Sequence, residues 1–242
     1  MDDPRISFSP KQHALLFAWI SKEVHHRVGA ERADEIVKRA VRRYGEERGH
    51  RMSLRAKANG HRLDMVNYLA YGEWRADPGE TQQEVRERTP HVHVHAHKCP
   101  WYEAWKAYDL LQYGKSYCQE VDEALVRGFN LELRIDVKGT LAEGEDYCDF
   151  VFYGANLTLP KALLLRYRQR FWPGSGAVMP WEYHLGHLYS TMGRVLQAEL
   201  GEPGQDAIEA GMEAFQSHFG EGARKAIEAY QDTDFSQLPG SA

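Results

Sequence analysis

The chemistry this sequence can do rests on three cysteines and two groups of histidines. Cys118 and Asp122 stand four residues apart, a spacing that puts both on one face of a helix. Cys148 follows on a segment of alternating pattern, and Cys99 stands ahead of both. A thiolate is a strong nucleophile when a neighbour lowers its pKa. An aspartate does the opposite, so Asp122 is expected to orient a base or hold a cationic substrate group. The competing expectation is that buried thiols act as small hydrophobes. His184 and His187, three residues apart on an expected helix, can face one pocket; otherwise His184 is a hydrogen-bonded core histidine. His91, His93, His95 and His97 alternate with Val92, Val94 and Ala96, which describes a strand with one apolar and one imidazole face. With Cys99 that ladder has the composition of a soft metal site. The plainer alternative is a polar, exposed sheet face. No paired CxxC, no HExxH, no phosphate-binding glycine loop and no GxSxG elbow is present.

These residues need elements to position them. Ser9-Pro10 predicts a helix start, and Leu16, Ile20 and Val24 carry an apolar face to about Val28. Ala33, Ile36, Val37, Ala40, Val41 and Tyr44 predict a second helix over about 30–47, and a third ends near Asn59-Gly60. Met65–Trp74 fits helix or strand. Cys99-Pro100 closes the histidine strand and opens a helix with Trp101 and Trp105 that Gly114 ends. Ser116 caps a short helix carrying Cys118 and Asp122, which Gly128 stops. Leu131–Val137 and Tyr147–Tyr153 read as a hairpin, with Cys148, Phe150 and Phe152 on one face and Asp149 on the other. Residues 157–176 form a basic, aromatic connection, and a long helix runs from Trp181 to Leu200. The expected fold is one α+β domain over residues 1–235: N-terminal helices, a central, mostly antiparallel sheet with inserted helices, and C-terminal helices. A disordered tail over 236–242 follows.

Composition sets the outer bounds. The chain has 242 residues, a formal charge of -5 and 43% hydrophobic residues, which exclude collagenous, low-complexity and disulfide-scaffold classes. An odd cysteine count excludes a full disulfide framework and points to a reducing, cytoplasmic compartment. The acidic N-terminus lacks signal-peptide character, and no apolar run suits a membrane span. Mild negative charge argues against nucleic acid as a partner. The basic stretch from Lys38 to Arg62 is a local exception, expected to be a solvated helix face.

At Cys118 the residues form a family pattern. Cys118-Gln119-Glu120-Val121-Asp122, Gly128-Phe129-Asn130, Gly139–Gly144 and Cys148-Asp149-Phe150 resemble the L-2-amino-thiazoline-4-carboxylic acid hydrolase family. So do Tyr44–Gly49, Cys99–Tyr102 and Pro180–His184. The resemblance implies opening of a five-membered cyclic isothiourea to an N-carbamoyl amino acid. Water or an enzyme nucleophile adds to the carbon between sulfur and nitrogen, and sulfur leaves as a thiolate. Such a site needs a base or nucleophile, an acid, a carboxylate for the amidine nitrogens and a cation for the substrate carboxylate. On this resemblance Cys118 is the expected nucleophile, Asp122 the amidine holder and His184 the acid/base. Cys148 lines the pocket or replaces Cys118. Cys99, Trp101, Asp149 and His187 are the expected substrate-binding residues, and Arg127 or Arg166 the carboxylate binder. No motif requires a cofactor, although a divalent metal is compatible with the Cys/His content. The expected partner is a small-molecule substrate, with a homodimer as the base-rate assembly. The histidine ladder is not part of the family pattern. Two other classes stay open: a metal-binding protein with a Cys/His site, and a non-enzymatic small-ligand binding domain with a tryptophan-lined pocket.

Overall fold

The hydrophobic spacings become helices around a four-stranded antiparallel sheet in the computed structural model, which describes residues 7–171 and 177–239. The elements run α1 (Pro10–Val28), α2 (Ala30–Ala58), α3 (Met65–Ala70), β1 (Gln82–Glu87), β2 (Val92–Lys98), α4 (Pro100–Ala107), α5 (Leu111–Phe129) and β3 (Ile135–Gly139). A 3-10 turn at Leu141–Glu143, then β4 (Cys148–Phe152), α6 (Leu159–Arg170), α7 (Trp181–Leu200), α8 (Glu202–Phe219) and α9 (Glu221–Glu228) complete it. The class is α+β, with helices at both ends of the chain and the sheet between them. Among the described residues no helix is long and apolar enough to cross a membrane. Residues 172–176 of the expected connection and 240–242 of the expected tail lie outside the described residues.

The chain divides into two compact units. The first comprises the chain through Ala40, Pro100–Tyr117 and Pro180–Thr233, and is helical. Ser9 caps α1 through a reciprocal box with Gln12, which satisfies two otherwise orphan donors. The apolar face of α1 (Leu16, Phe17, Ile20 and Val24, all fully buried) packs on α8, α4 and α7. Gly114 does not end the tryptophan helix. The break comes at Asp109, which has φ of 55°, and Gly114 lies inside α5. Its missing side chain makes room for Trp105, since a Cβ there would stand 2.1 Å from the indole ring. Packing, not helix termination, accounts for this glycine.

The second unit comprises Val41–Cys99, Cys118–Met179 and the chain from Asp234. Its sheet has the order β1-β2-β4-β3. The alternation predicted for the histidine strand is present: Val92, Val94 and Ala96 are buried, whereas His93 and His95 are half-buried and His97 exposed. Strand β4 pairs with β2 so that Ala96 stands opposite Cys148 and His95 opposite Asp149. Because side chains alternate across a strand, Cys148 faces the apolar side and Asp149 the imidazole side. Strand β1, exposed at every residue, had no apolar alternation to reveal it. Its pairing with β2 defines it.

The two helices expected over 30–60 are one, because Gly45 and Gly49 do not interrupt α2. They are contact points for α5. A Cβ at Gly49 would lie 2.1 Å from the Leu125 carbonyl oxygen, and one at Gly128 would lie 2.2 Å from that of Glu46. The two backbones touch where these glycines meet, so Gly49→Ala must push a helix away. It is expected to cost about 3 kcal/mol, the upper end for overpacking, read as a lower urea midpoint.

Candidate functional site

The α2–α5 crossing in the second unit sets the candidate site. Arg48, Arg51 and Arg55 recur at steps of three and four on one face of α2. All three are buried, at 3%, 0% and 9% exposure, which corrects the expectation of a solvated face for them, whereas Arg39, Arg43, Lys57 and Arg62 of the same basic stretch are exposed. The reason is a carboxylate. Glu73, itself fully buried, accepts from Arg51 Nε at 3.0 Å and Nη2 at 2.8 Å, from Arg55 Nη1 at 2.6 Å and from Arg48 Nε at 3.4 Å. Arg51 also donates to the Phe235 carbonyl at 2.5 Å. Burial alone would raise the Glu73 pKa. Arg51, Arg48 and Arg55 outweigh it and hold the carboxyl well below its usual range. Arg48 makes the longest of these contacts to Glu73, and its guanidinium also lies 5.4 Å from the Tyr44 ring centroid.

Asp122 on α5 feels Arg48 and Tyr68. Burial pushes its carboxyl up to about 6, Arg48 opposes the rise and Glu123 adds to it. Burial also keeps the Tyr68 phenol neutral. One turn before Asp122, the Cys118 thiol is pushed well up, first by burial and then by Cys99, Cys148, Asp122 and Glu143. Cys148 is pushed up to about 12 by burial, although the Leu141 N–H donates to its sulfur at 3.4 Å. The 3-10 turn that supplies this N–H is pinned by Glu143, which accepts from Thr140 Oγ1 at 3.0 Å and Gln119 Nε2 at 2.8 Å. Gly144 closes the turn at φ of 98°, a left-handed conformation that glycine adopts without strain. The three thiols and Asp122 therefore share one electrostatic neighbourhood, and both Cys118 and Cys148 rest as neutral thiols at neutral pH.

Asp149 lies across the sheet from these thiols. It stands on the imidazole side, where His93 Nε2 and Asp149 Oδ1 are 2.5 Å apart and His95 Nε2 lies 4.0 Å from the same oxygen. These three groups, and the overlapping set Glu84, His95 and His97, are close enough to hold a metal ion. In both sets a carboxylate takes the place that Cys99 was expected to fill.

Trp101, His184 and His187 belong to the first unit. There Trp101 Nε1 donates to His13 Nδ1 at 3.1 Å, and Trp181 stands 5.3 Å from His184, centroid to centroid. His13, His184 and His187 are all buried, at 1% exposure or less. The expected carboxylate binders sit elsewhere: Arg127 is exposed beside Glu46 at 3.3 Å, and Arg166 is exposed on α6. Sequence reasoning missed Arg48, Tyr68, Glu73 and Glu143. For Arg48 the three-four arginine spacing was a usable signal; for Glu73 none was.

The model of the L-2-amino-thiazoline-4-carboxylic acid hydrolase family matches residues 10–152, more than half of the chain. The chain belongs to that family. The matched residues of this family member include Cys99, Cys118, Asp122 and Cys148 and end before His184 and His187. No curated protein and no solved structure matches the chain.

Proposed function

We propose that this family member is a hydrolase that opens a small cyclic isothiourea, amidine or amide ring, with the thiazoline carboxylate of the family name as the first substrate to test. The observation that carries this proposal is Asp122, a carboxyl poised at about 6 one helical turn from a thiol cluster. A group poised near the working pH both accepts and donates a proton. In the proposed reaction the carboxylate of Asp122 takes the Cys118 proton as sulfur adds to the carbon between the ring sulfur and nitrogen. The ring carbon–sulfur bond breaks, and Asp122 returns the proton to the departing sulfur. Water then adds to the same carbon and displaces Cys118, so its oxygen becomes the carbamoyl oxygen and the enzyme thiol is restored. Cys148 lines the pocket or substitutes as nucleophile, and Cys99 completes the thiol wall. Arg48, whose charge acts on Asp122, is the proposed cation for the substrate carboxylate in place of Arg127 or Arg166. His184, Trp101 and His187, expected from the resemblance as acid/base and binding residues, belong to the first unit and take no step in this scheme. Asp149, on the face of the sheet opposite Cys148, takes no role in this scheme.

The test is release of a free thiol from 2-amino-thiazoline-4-carboxylate, titrated with a disulfide reagent. Wild-type protein is expected to release one thiol per ring, Cys118→Ala to fall to background and Cys148→Ala to retain part of the rate. Normal rates in both variants, with circular dichroism unchanged, would sink covalent catalysis. Absence of turnover with cyclic isothioureas, amidines and amides alike would sink the hydrolase proposal.

A further inference from the structure

The imidazole side of the sheet carries a separate chemistry. His93 and His95 are successive outward residues of β2, and Asp149 stands opposite His95 on β4. A ladder pair brings opposite side chains within about 5 Å, and residues two apart on a strand share a face. Ligand atoms from three positions therefore converge without any loop having to order. The ligand atoms of His93, His95 and Asp149 all lie within 4.8 Å of one another. Around a tetrahedral ion with bonds near 2.0 Å, neighbouring donors sit about 3.3 Å apart. The observed separations of 2.5 Å and 4.0 Å to Asp149 bracket that value, so rotamer adjustments suffice. Tyr147 stacks on His95 at 3.9 Å between centroids and 14° between planes, which fixes the imidazole plane. The three side chains are 14–22% exposed, so an ion can enter yet is partly shielded.

We propose that His93, His95 and Asp149 form a binding site for a first-row divalent transition metal, with zinc as the representative ion. Two imidazoles and a carboxylate match the borderline preference of such ions and leave a position for water. Glu84 and His97 flank the site and share His95 with it through an alternative set. The ion links β2 to β4 and lies across the sheet from the Cys118 cluster. The site is independent of the ring-opening proposal, because none of its ligands belongs to the thiol neighbourhood.

The test uses the full chain, stripped of metal and titrated with zinc by calorimetry, and with cobalt by absorption. One equivalent is expected to bind, with a cobalt spectrum lacking thiolate charge-transfer bands and a zinc-dependent rise in Tm. The His93→Ala/His95→Ala protein is expected to bind at least as much more weakly as the roughly 10–100-fold lost with an outer-shell partner. Asp149→Asn, which keeps the side-chain shape, should weaken binding while leaving the metal-free Tm unchanged. Cys118→Ser/Cys148→Ser should bind as wild type. Binding that survives the histidine and Asp149 substitutions, or that is lost in the cysteine variant with thiolate bands present in wild type, would overturn the proposal. So would the absence of stoichiometric binding. Ring-opening rates are read separately, so failure of either proposal leaves the other standing.

Discussion

Asp122→Asn is expected to lower kcat/KM by about 10²–10⁴-fold while raising the Tm at pH 8. The rate loss is the range assigned to a positioned acid or base. The gain in stability follows from the sign of the linkage. Burial raises the carboxyl to about 6 in the fold, whereas an unfolded aspartate titrates near 3.9. Between those values the native state holds a proton that the unfolded chain has lost, so stability falls as pH rises through this window. Above it the fold carries the full cost of a buried anion. Asparagine keeps the shape and removes that cost, so the variant should gain most at pH 8 and little near pH 4. A pH–rate profile supplies the second readout: wild-type activity should fall on the acid side as Asp122 protonates. An unaltered acid limb in Asp122→Asn, or a Tm lowered at pH 8, would remove Asp122 from the role of proton carrier.

The second large effect is structural. Glu73→Ala leaves Arg48, Arg51 and Arg55 buried without their shared carboxylate. Breaking a buried ion pair from one side costs about 3–5 kcal/mol, because the uncompensated charge is what remains. The urea midpoint of the second unit should fall accordingly. A double variant, Arg51→Met/Glu73→Met, removes a buried charge of each sign together and should lose less than the two single changes combined. The same constellation sets an acid limit. The folded Glu73 carboxyl titrates well below the unfolded value near 4.3, so its contribution is complete above that pH. It is lost progressively as pH falls further, as the native carboxylate is forced to take a proton. Melting between pH 6 and pH 2 checks this: if wild type and Glu73→Gln lost stability in parallel with acid, the arginines would not be what holds this carboxyl ionised.

Periodicity made much of the architecture legible. A step of three and four in α1 and a step of two in β2 report burial directly, because one face of each element meets apolar neighbours. The same logic failed where neighbours were not apolar. β1 is exposed on both faces, and α6 presents Leu159, Leu163 and Tyr167 to solvent, so neither carries a burial pattern. Glycine misled for a related reason. Gly49 and Gly114 sit inside helices where another backbone or ring occupies the space of a Cβ, and that neighbour belongs to a different helix.

By itself the sequence determined the α+β class, the helix start at Ser9, the two faces of the histidine strand and the one-turn spacing of Cys118 and Asp122. Each depends on residues a few positions apart. Only tertiary structure decided that three arginines are buried on Glu73, that Asp122 is poised near 6 and that the thiols rest neutral. It also decided, through the pairing of β2 with β4, that Asp149 stands beside the histidines. These outcomes follow from burial and from charges brought close by the fold, and both act through space between residues that the chain holds far apart.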